Sequence, residues 1–285
     1  MEIVLRKATE EDRESVIAVE TKATPSLSYV PRVFDMFNSD EEGEFLVAEA
    51  DGEVVACGKF TVVPDGSAWL ETLRVIPAYQ GLGIGKRFYE RFFEIARDKG
   101  VKTMRMYTGL RNVVSKGLAE RFGFRIAAAR RGAWLHCRSG ESENLLPVAE
   151  SFQLVASAER AVDLLMPQCT RWEDFLVMNR TFYALTPALC ADLAEKGQVY
   201  EDPETGSVIT LGARFMPETA LHIGVFAGDP GACLGFALSQ GIAQESERLN
   251  CLFPVSDGEL QDTFIHYGFQ FETSDFIVME VHLDD

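Results

Sequence analysis

Seven consecutive residues, Gln80-Gly81-Leu82-Gly83-Ile84-Gly85-Lys86, join an apolar stretch to a segment of helical periodicity. Glycines at such a junction let the backbone adopt positive φ and approach a ligand closely. The helix that follows offers unpaired N–H groups and a partial positive charge, so the junction suits an anion, best of all a pyrophosphate. A plain tight turn would use the same glycines. One carboxylate, Glu71, stands inside the apolar stretch "AWLETLRVI". An acid there is costly unless it is paired or faces a cavity. The bland alternative is a side chain turned to solvent at the start of the strand.

Two common phosphate cradles do not fit. The dinucleotide fingerprint needs glycine at position 86, which is Lys86. The phosphate loop GxxxxGK[ST] needs glycine at 80 and Ser or Thr at 87, which are Gln80 and Arg87. What fits is Q-x-x-G-x-G preceded by "LRVIPAY", with Asn112 eleven residues before Gly123-Phe124. On these two spaced motifs the sequence resembles the GNAT superfamily of N-acetyltransferases over nearly its whole first half. The resemblance implies acetyl-CoA as co-substrate, its pyrophosphate on the loop from Gln80 through Gly81, Leu82, Gly83, Ile84 and Gly85 to Lys86. It implies pantetheine paired along the backbone of Leu73, Arg74 and Val75 and hydrogen-bonded by Asn112, with Lys86, Arg87 and Lys116 available to CoA phosphates. A backbone N–H of that strand would stabilise the thioester oxyanion. Glu71 takes the place of the family's base. The family often has a tyrosine four residues before the glycine of Gly-Phe, where this chain has Ala119. Tyr107 is the candidate acid, with Tyr79 as a further phenol, and a thiolate can also leave without an acid. The implied activity is acetyl transfer to a primary amine of a small molecule or peptide. The alternative is a catalytically silent acyl-CoA-binding or interaction module.

Positioning these residues requires an α/β (α+β) framework, expected as two GNAT-like domains, each with a mixed, mostly antiparallel sheet flanked by helices. Ile3–Arg6 reads as a strand, and Thr9 before "EEDRESVIAVE" as a helix cap. A second helical piece falls near Val30–Phe37. "EFLVAEADGEVVACGKF" predicts a hairpin turning at Asp51-Gly52. Phe88, Phe92 and Ile95 mark one helix face, "VKTMRMYT" a strand, and "FRIAAA" and "GAWLHC" two closing strands. The second half echoes the first: "FIHYGFQFET" matches "AERFGFRIAA", and aligning Gly268 with Gly123 brings Gly231 within one residue of Gly85. We therefore expect a cofactor domain at 1–140, a linker at 141–152 and a degenerate copy at 153–285. In that copy the loop "FAGDPGAC" is shorter, lacks the glutamine and carries Asp229 and Pro230, and Asp257 stands where Asn112 would align. It is expected not to bind CoA and to serve as a wall.

Residues 1–145 carry 21 Lys and Arg against 22 Asp and Glu, whereas residues 146–285 carry 6 against 22. The net charge of −17 thus falls almost entirely on the second half, which disfavours nucleic acid and favours a cationic amine as acceptor. The six cysteines form no CxxC pair and the four histidines have no ligand spacing, so buried reduced thiols and no metal are expected. Without a membrane-length apolar run or a signal-peptide pattern, the expected location is cytoplasmic, with no membrane partner. A tandem chain can work as a monomeric pseudo-dimer or as a homodimer.

Overall fold

The structure is a computed structural model that describes residues 2–25, 27–137, 146–147 and 151–283. Most of the expected linker lies outside them. The chain forms two compact units: unit 1 comprises Met1–Met106, Val113–Arg125 and Met279–Asp285, and unit 2 comprises Tyr107–Asn112 and Ile126–Val278. These units are not contiguous segments, so neither coincides with the spans 1–140 and 153–285.

Along the first half run β1 (Ile3–Lys7), α1 (Arg13–Ala23), α2 (Val30–Asn38), β2 (Glu44–Ala50), β3 (Glu53–Val62), β4 (Ala68–Val75), α3 (Ile84–Lys99), β5 (Thr103–Gly109), α4 (Val113–Arg121) and β6 (Arg125–His136). Two expectations need correction. Helix α1 begins at Arg13 because residues 10–12 form a 3₁₀ turn after Thr9. "FRIAAA" and "GAWLHC" form one twelve-residue strand, β6, since nothing at Arg130–Gly132 breaks the extended backbone.

In unit 1, β1, β2, β3 and β4 form an antiparallel meander, and β5 joins β4 in parallel. The β2–β3 turn has Asp51 at φ 50° and Gly52 at φ 88°, as the Asp-Gly pair predicts. Helix α3 buries Ile84, Phe88, Tyr89, Phe92 and Ile95, and each phenyl ring withdrawn from water contributes about 1.5–3 kcal/mol. A Cβ on Gly58 would lie 2.8 Å from the Phe88 ring, so that glycine lets α3 seat on β3. The chain's last residues also serve unit 1. Leu283 donates its N–H to Lys102 O at 2.8 Å, and Arg105 Nε donates to Glu280 Oε2 at 2.9 Å.

The second half contributes β7 (Gln153–Leu154), α5 (Ala158–Leu165), β8 (Phe175–Met178), β9 (Thr181–Ala184), α6 (Pro187–Glu195), β10 (Val199–Asp202), β11 (Ser207–Gly212), β12 (Leu221–Ala227), α7 (Pro230–Ala243), β13 (Arg248–Pro254), α8 (Gly258–His266), β14 (Gln270–Phe271) and β15 (Phe276–His282). Strands β7, β10, β11 and β12 form an antiparallel meander, β13 joins β12 in parallel, and β6 pairs with β13. The repeat is structural. Helices α3 and α7 each follow the strand that makes the parallel pair, and Gly123 and Gly268, at φ 85° and 77°, each follow the next helix. Among the described residues, only the second copy adds a hairpin, β8–β9. None of the described helices is long and apolar enough to cross a membrane.

Histidine 222 on β12 is 4% exposed. Burial, reinforced by the charges of Arg180 and Arg248, draws its pKa from 6.5 down to about 3. The folded state therefore holds the neutral ring while the unfolded chain protonates below about pH 6.5. Stability from this group is complete above about pH 6.5 and is lost as the pH falls towards 3. Denaturant unfolding across this range should show a steeper acid decline in the native chain than in His222→Gln.

Candidate active site

A short turn at Pro77–Tyr79 leads from β4 into the glycine loop. Gly81 and Gly83 have φ of 79° and 80°, and a Cβ on either would meet nothing within 4 Å. Their backbone conformation, not crowding, demands glycine. Gly85 is glycine for the other reason, because a Cβ there would lie 2.9 Å from Leu118. The Gln80 side chain donates to Val75 O at 3.0 Å and staples the loop to the end of β4. Gly83 caps α3 without a side chain, and the first turn holds no acid. The Arg87 N–H bonds to Gly83 O at 3.2 Å, which leaves the amides before it as donors for an anion. Leu82 is exposed at the loop tip, while buried Ile84 pins the helix start beneath it. Lys86 and Lys116 sit in exposed helical ion pairs with Glu90 at 3.2 Å and Glu120 at 3.8 Å, weak enough to exchange for a phosphate. Arg87 is committed elsewhere, donating to Ile3 O at 2.6 Å.

Strand β4 supplies the second feature. Its pairing with β5 runs from Ala68↔Met104 to Leu70↔Met106 and then stops. Against β3 the register slips: Lys59 faces Glu71 and Cys57 faces Arg74, so Thr72 and Leu73 together oppose Gly58. Thr72 has φ 59°, a conformation that costs a β-branched residue on the order of 1–3 kcal/mol. Such an outlier persists only where its neighbours over-determine it. The Tyr29 phenol meets Thr72 Oγ1 at 2.7 Å, and the Cys57 thiol points at Thr72 O at 3.6 Å. Glu71 is only 9% exposed, and its Oε1 accepts the Thr61 hydroxyl at 2.7 Å, so the solvent-facing alternative does not hold. The loop and the bulge thus put uncapped helix amides and a buried carboxylate on successive parts of one strand–helix connection.

The sequence profile of the acetyltransferase (GNAT) family matches residues 10–124, the span that holds both features. Residues 10–124 thus resemble a GNAT-family domain. Three solved structures extend the likeness along the chain. A candidate acetyltransferase from Pyrococcus horikoshii shares 18% identity over 99% of this chain and 90% of its own, with a TM-score of 0.65. A tandem GNAT protein of the clavulanic acid biosynthesis pathway shares 14% over the whole of both chains, with a TM-score of 0.61. A GCN5-related N-acetyltransferase from Sphaerobacter thermophilus shares 12% over 98% of this chain and 95% of its own, with a TM-score of 0.63. At these identities the likeness concerns the fold, which is that of a tandem GNAT protein.

Within the GNAT framework the remaining predicted residues fall as follows. Leu73, Arg74 and Val75 complete β4, with Val75 facing Ala56 on β3. Tyr107 lies on β5 just beyond its last residue paired with β4, its ring edge-on to Phe276 at 6.2 Å. Asn112 precedes α4, and its N–H bonds to Gly109 O at 2.9 Å. Tyr107 and Asn112 belong to unit 2, and the loop and β4 to unit 1. Ala119 is fully buried in α4. Tyr89 is among the aromatic rings of Phe92, Phe122 and Phe124, where burial pushes its phenol far above the usual range. Sequence reasoning missed Tyr29 and Glu20, whose segment carries no motif.

The second GNAT copy treats the same helix end differently. Asp229 caps α7, and its Oδ1 accepts the N–H groups of Gly231 at 2.8 Å and Ala232 at 3.2 Å. Ser207 Oγ in turn accepts the Asp229 N–H at 2.9 Å. The copy's own carboxylate therefore occupies the amides that an incoming phosphate would need. Asp229→Ala should lower unfolding free energy by about 1 kcal/mol in chemical denaturation, the usual worth of such a cap.

Proposed function

We propose that the protein is an acetyl-CoA-dependent N-acetyltransferase acting on a primary amine of a small molecule or peptide. The observation that carries this reading is the glycine-capped, acid-free start of α3, continuous with a strand that bears a buried carboxylate and a strained bulge. The amides from Gln80 to Lys86 take the pyrophosphate, and Lys86 and Lys116 lend charge. Pantetheine lies along Leu73, Arg74 and Val75, with Asn112 as a further hydrogen-bonding partner. The amine nitrogen attacks the thioester carbonyl, and Glu71 takes the ammonium or amine proton directly or through water. A β4 amide stabilises the oxyanion, the C–S bond breaks, and the thiolate leaves, protonated by Tyr107 or by solvent. The acidic second half favours approach of a cationic amine. Six free cysteines, five of them buried, suit a reducing cytoplasmic setting.

A silent acyl-CoA-binding module is the second reading, favoured by Ala119, which removes a phenol from the family's usual place. The two differ in turnover. With acetyl-CoA and an amine panel, free-thiol release should fall about a hundredfold or more in Glu71→Gln while CoA still binds. CoA binding without thiol release on any amine would support the silent module. Gly83→Val, forced into positive φ, should abolish CoA binding in calorimetric titration, and retained affinity would overturn the placement of the cradle.

A further inference from the structure

The side chains of one polar cluster in unit 1 have no part in the acetyl transfer described above. Glu20 on α1 is 1% exposed, and its carboxylate accepts the Val30 N–H at 3.2 and 3.3 Å and the Tyr29 N–H at 3.4 Å at the start of α2. Cys57 on β3 is fully buried opposite Arg74 on β4. Arg74 pairs with Cys57 across β3 and β4, and its charge favours the ionised forms of both Cys57 and Glu20. Yet Arg74 makes no ion pair among the described residues. Its one hydrogen bond is a long 3.4 Å contact from Nη1 to the carbonyl of Leu73 beside it. Its Nε is buried and has no acceptor.

Leaving a buried donor without an acceptor costs roughly 1–3 kcal/mol, and native proteins rarely tolerate it without a purpose. Glu20 does not relieve it. Its oxygens are engaged by two backbone amides, and burial pushes its carboxyl pKa up, against the charged form that would match Arg74. The unmatched group is a guanidinium, whose planar fork fits a carboxylate with two parallel hydrogen bonds. Its position is specific too. The bulge at Thr72 and Leu73 sets Glu71 and Arg74 opposite Lys59 and Cys57, two residues apart on β3, and so on one face of the sheet.

We infer that the acceptor is an amine that also bears a carboxylate, and that the Arg74 side chain binds this carboxylate while Glu71 receives the amine's proton. The inference rests on the acetyl-transfer reading for the role of Glu71. Arg74 thereby serves twice, its backbone in the strand edge along which pantetheine lies and its side chain in acceptor choice. No acetyl group need move for the carboxylate to bind.

The test is therefore an equilibrium one, made on the full chain saturated with CoA, which cannot react. The common α-amino acids, β-alanine and γ-aminobutyrate are each titrated against their own carboxamides by calorimetry. At least one free acid should bind about tenfold or more tighter than its amide, and Arg74→Gln should collapse that ratio to about twofold. Arg74→Lys should keep part of it, since the charge stays and the fork is lost. Equal binding of acid and amide, or binding of neither by any probe, overturns the inference. So does an Arg74→Gln chain that keeps the preference and loses affinity for CoA instead. Thiol release is measured separately with acetyl-CoA. Carboxylate preference without release sinks the transferase reading and leaves Arg74 as a carboxylate-binding residue, whereas release without preference does the reverse.

Discussion

The start of α3 carries no side-chain cap, so its first amides stay free. A helix end is ordinarily silenced by a side-chain oxygen, and a chain that needs the end for a ligand must withhold that oxygen while holding the backbone in place. Here Gly83 supplies the left-handed cap without a side chain, and the fixing comes from elsewhere. Ile84, Phe88 and Phe92 anchor the helix below, Gly58 lets it approach β3, and Gln80 ties the loop to Val75. The second copy shows the same helix end under the opposite choice. With Asp229 on its amides α7 is better capped, and it has no donor to spare. The two copies thus end corresponding loops differently, one with free amides and a longer glycine-rich turn, the other shortened, with Pro230 at the helix start and Asp229 bonded to its amides.

Strand β4 answers a related demand, to carry polar groups into a dry environment. Each is matched differently. Glu71 leans on Thr61, and Lys59 opposite it is buried against Asp40 and donates to Phe60 O at 2.9 Å. Thr72 is held in its left-handed conformation by a two-against-one register with Gly58 and by the Tyr29 phenol. Such strain is stable only when the surroundings over-determine it, and it concentrates where β4 stops pairing with β5. On this strand Arg74 remains the exception, with a buried Nε for which the described residues offer no acceptor.

The duplicated sequence and the compact units do not share boundaries. Unit 1 holds the last residues of the chain, and unit 2 holds nearly all of β6 from the first half. A repeat of about half the chain can be copied as sequence, but its strands pair wherever an open edge meets a matching hydrogen-bond register. In unit 2, β6 fills that place beside β13, which is the counterpart of β5. Each unit thus contains strand residues encoded in the other half, so neither copy as sequence is a complete unit.

The sequence by itself determined the features whose cause is local. Positive φ at Gly81 and Gly83, the turn at Asp51-Gly52 and the apolar face of α3 each follow from one residue type in one short window. The spacing of Gln80, the glycines and Asn112 carried the family, and the echo of Gly123 in Gly268 carried the repeat. Periodicity could not show that β6 is a single strand or that the units interleave, because pairing partners lie over a hundred residues apart. Nor could it show Tyr29, Glu20 or the solitary guanidinium of Arg74. Their significance comes from burial and from neighbours on separate elements, and only packing removes the water that would otherwise satisfy them.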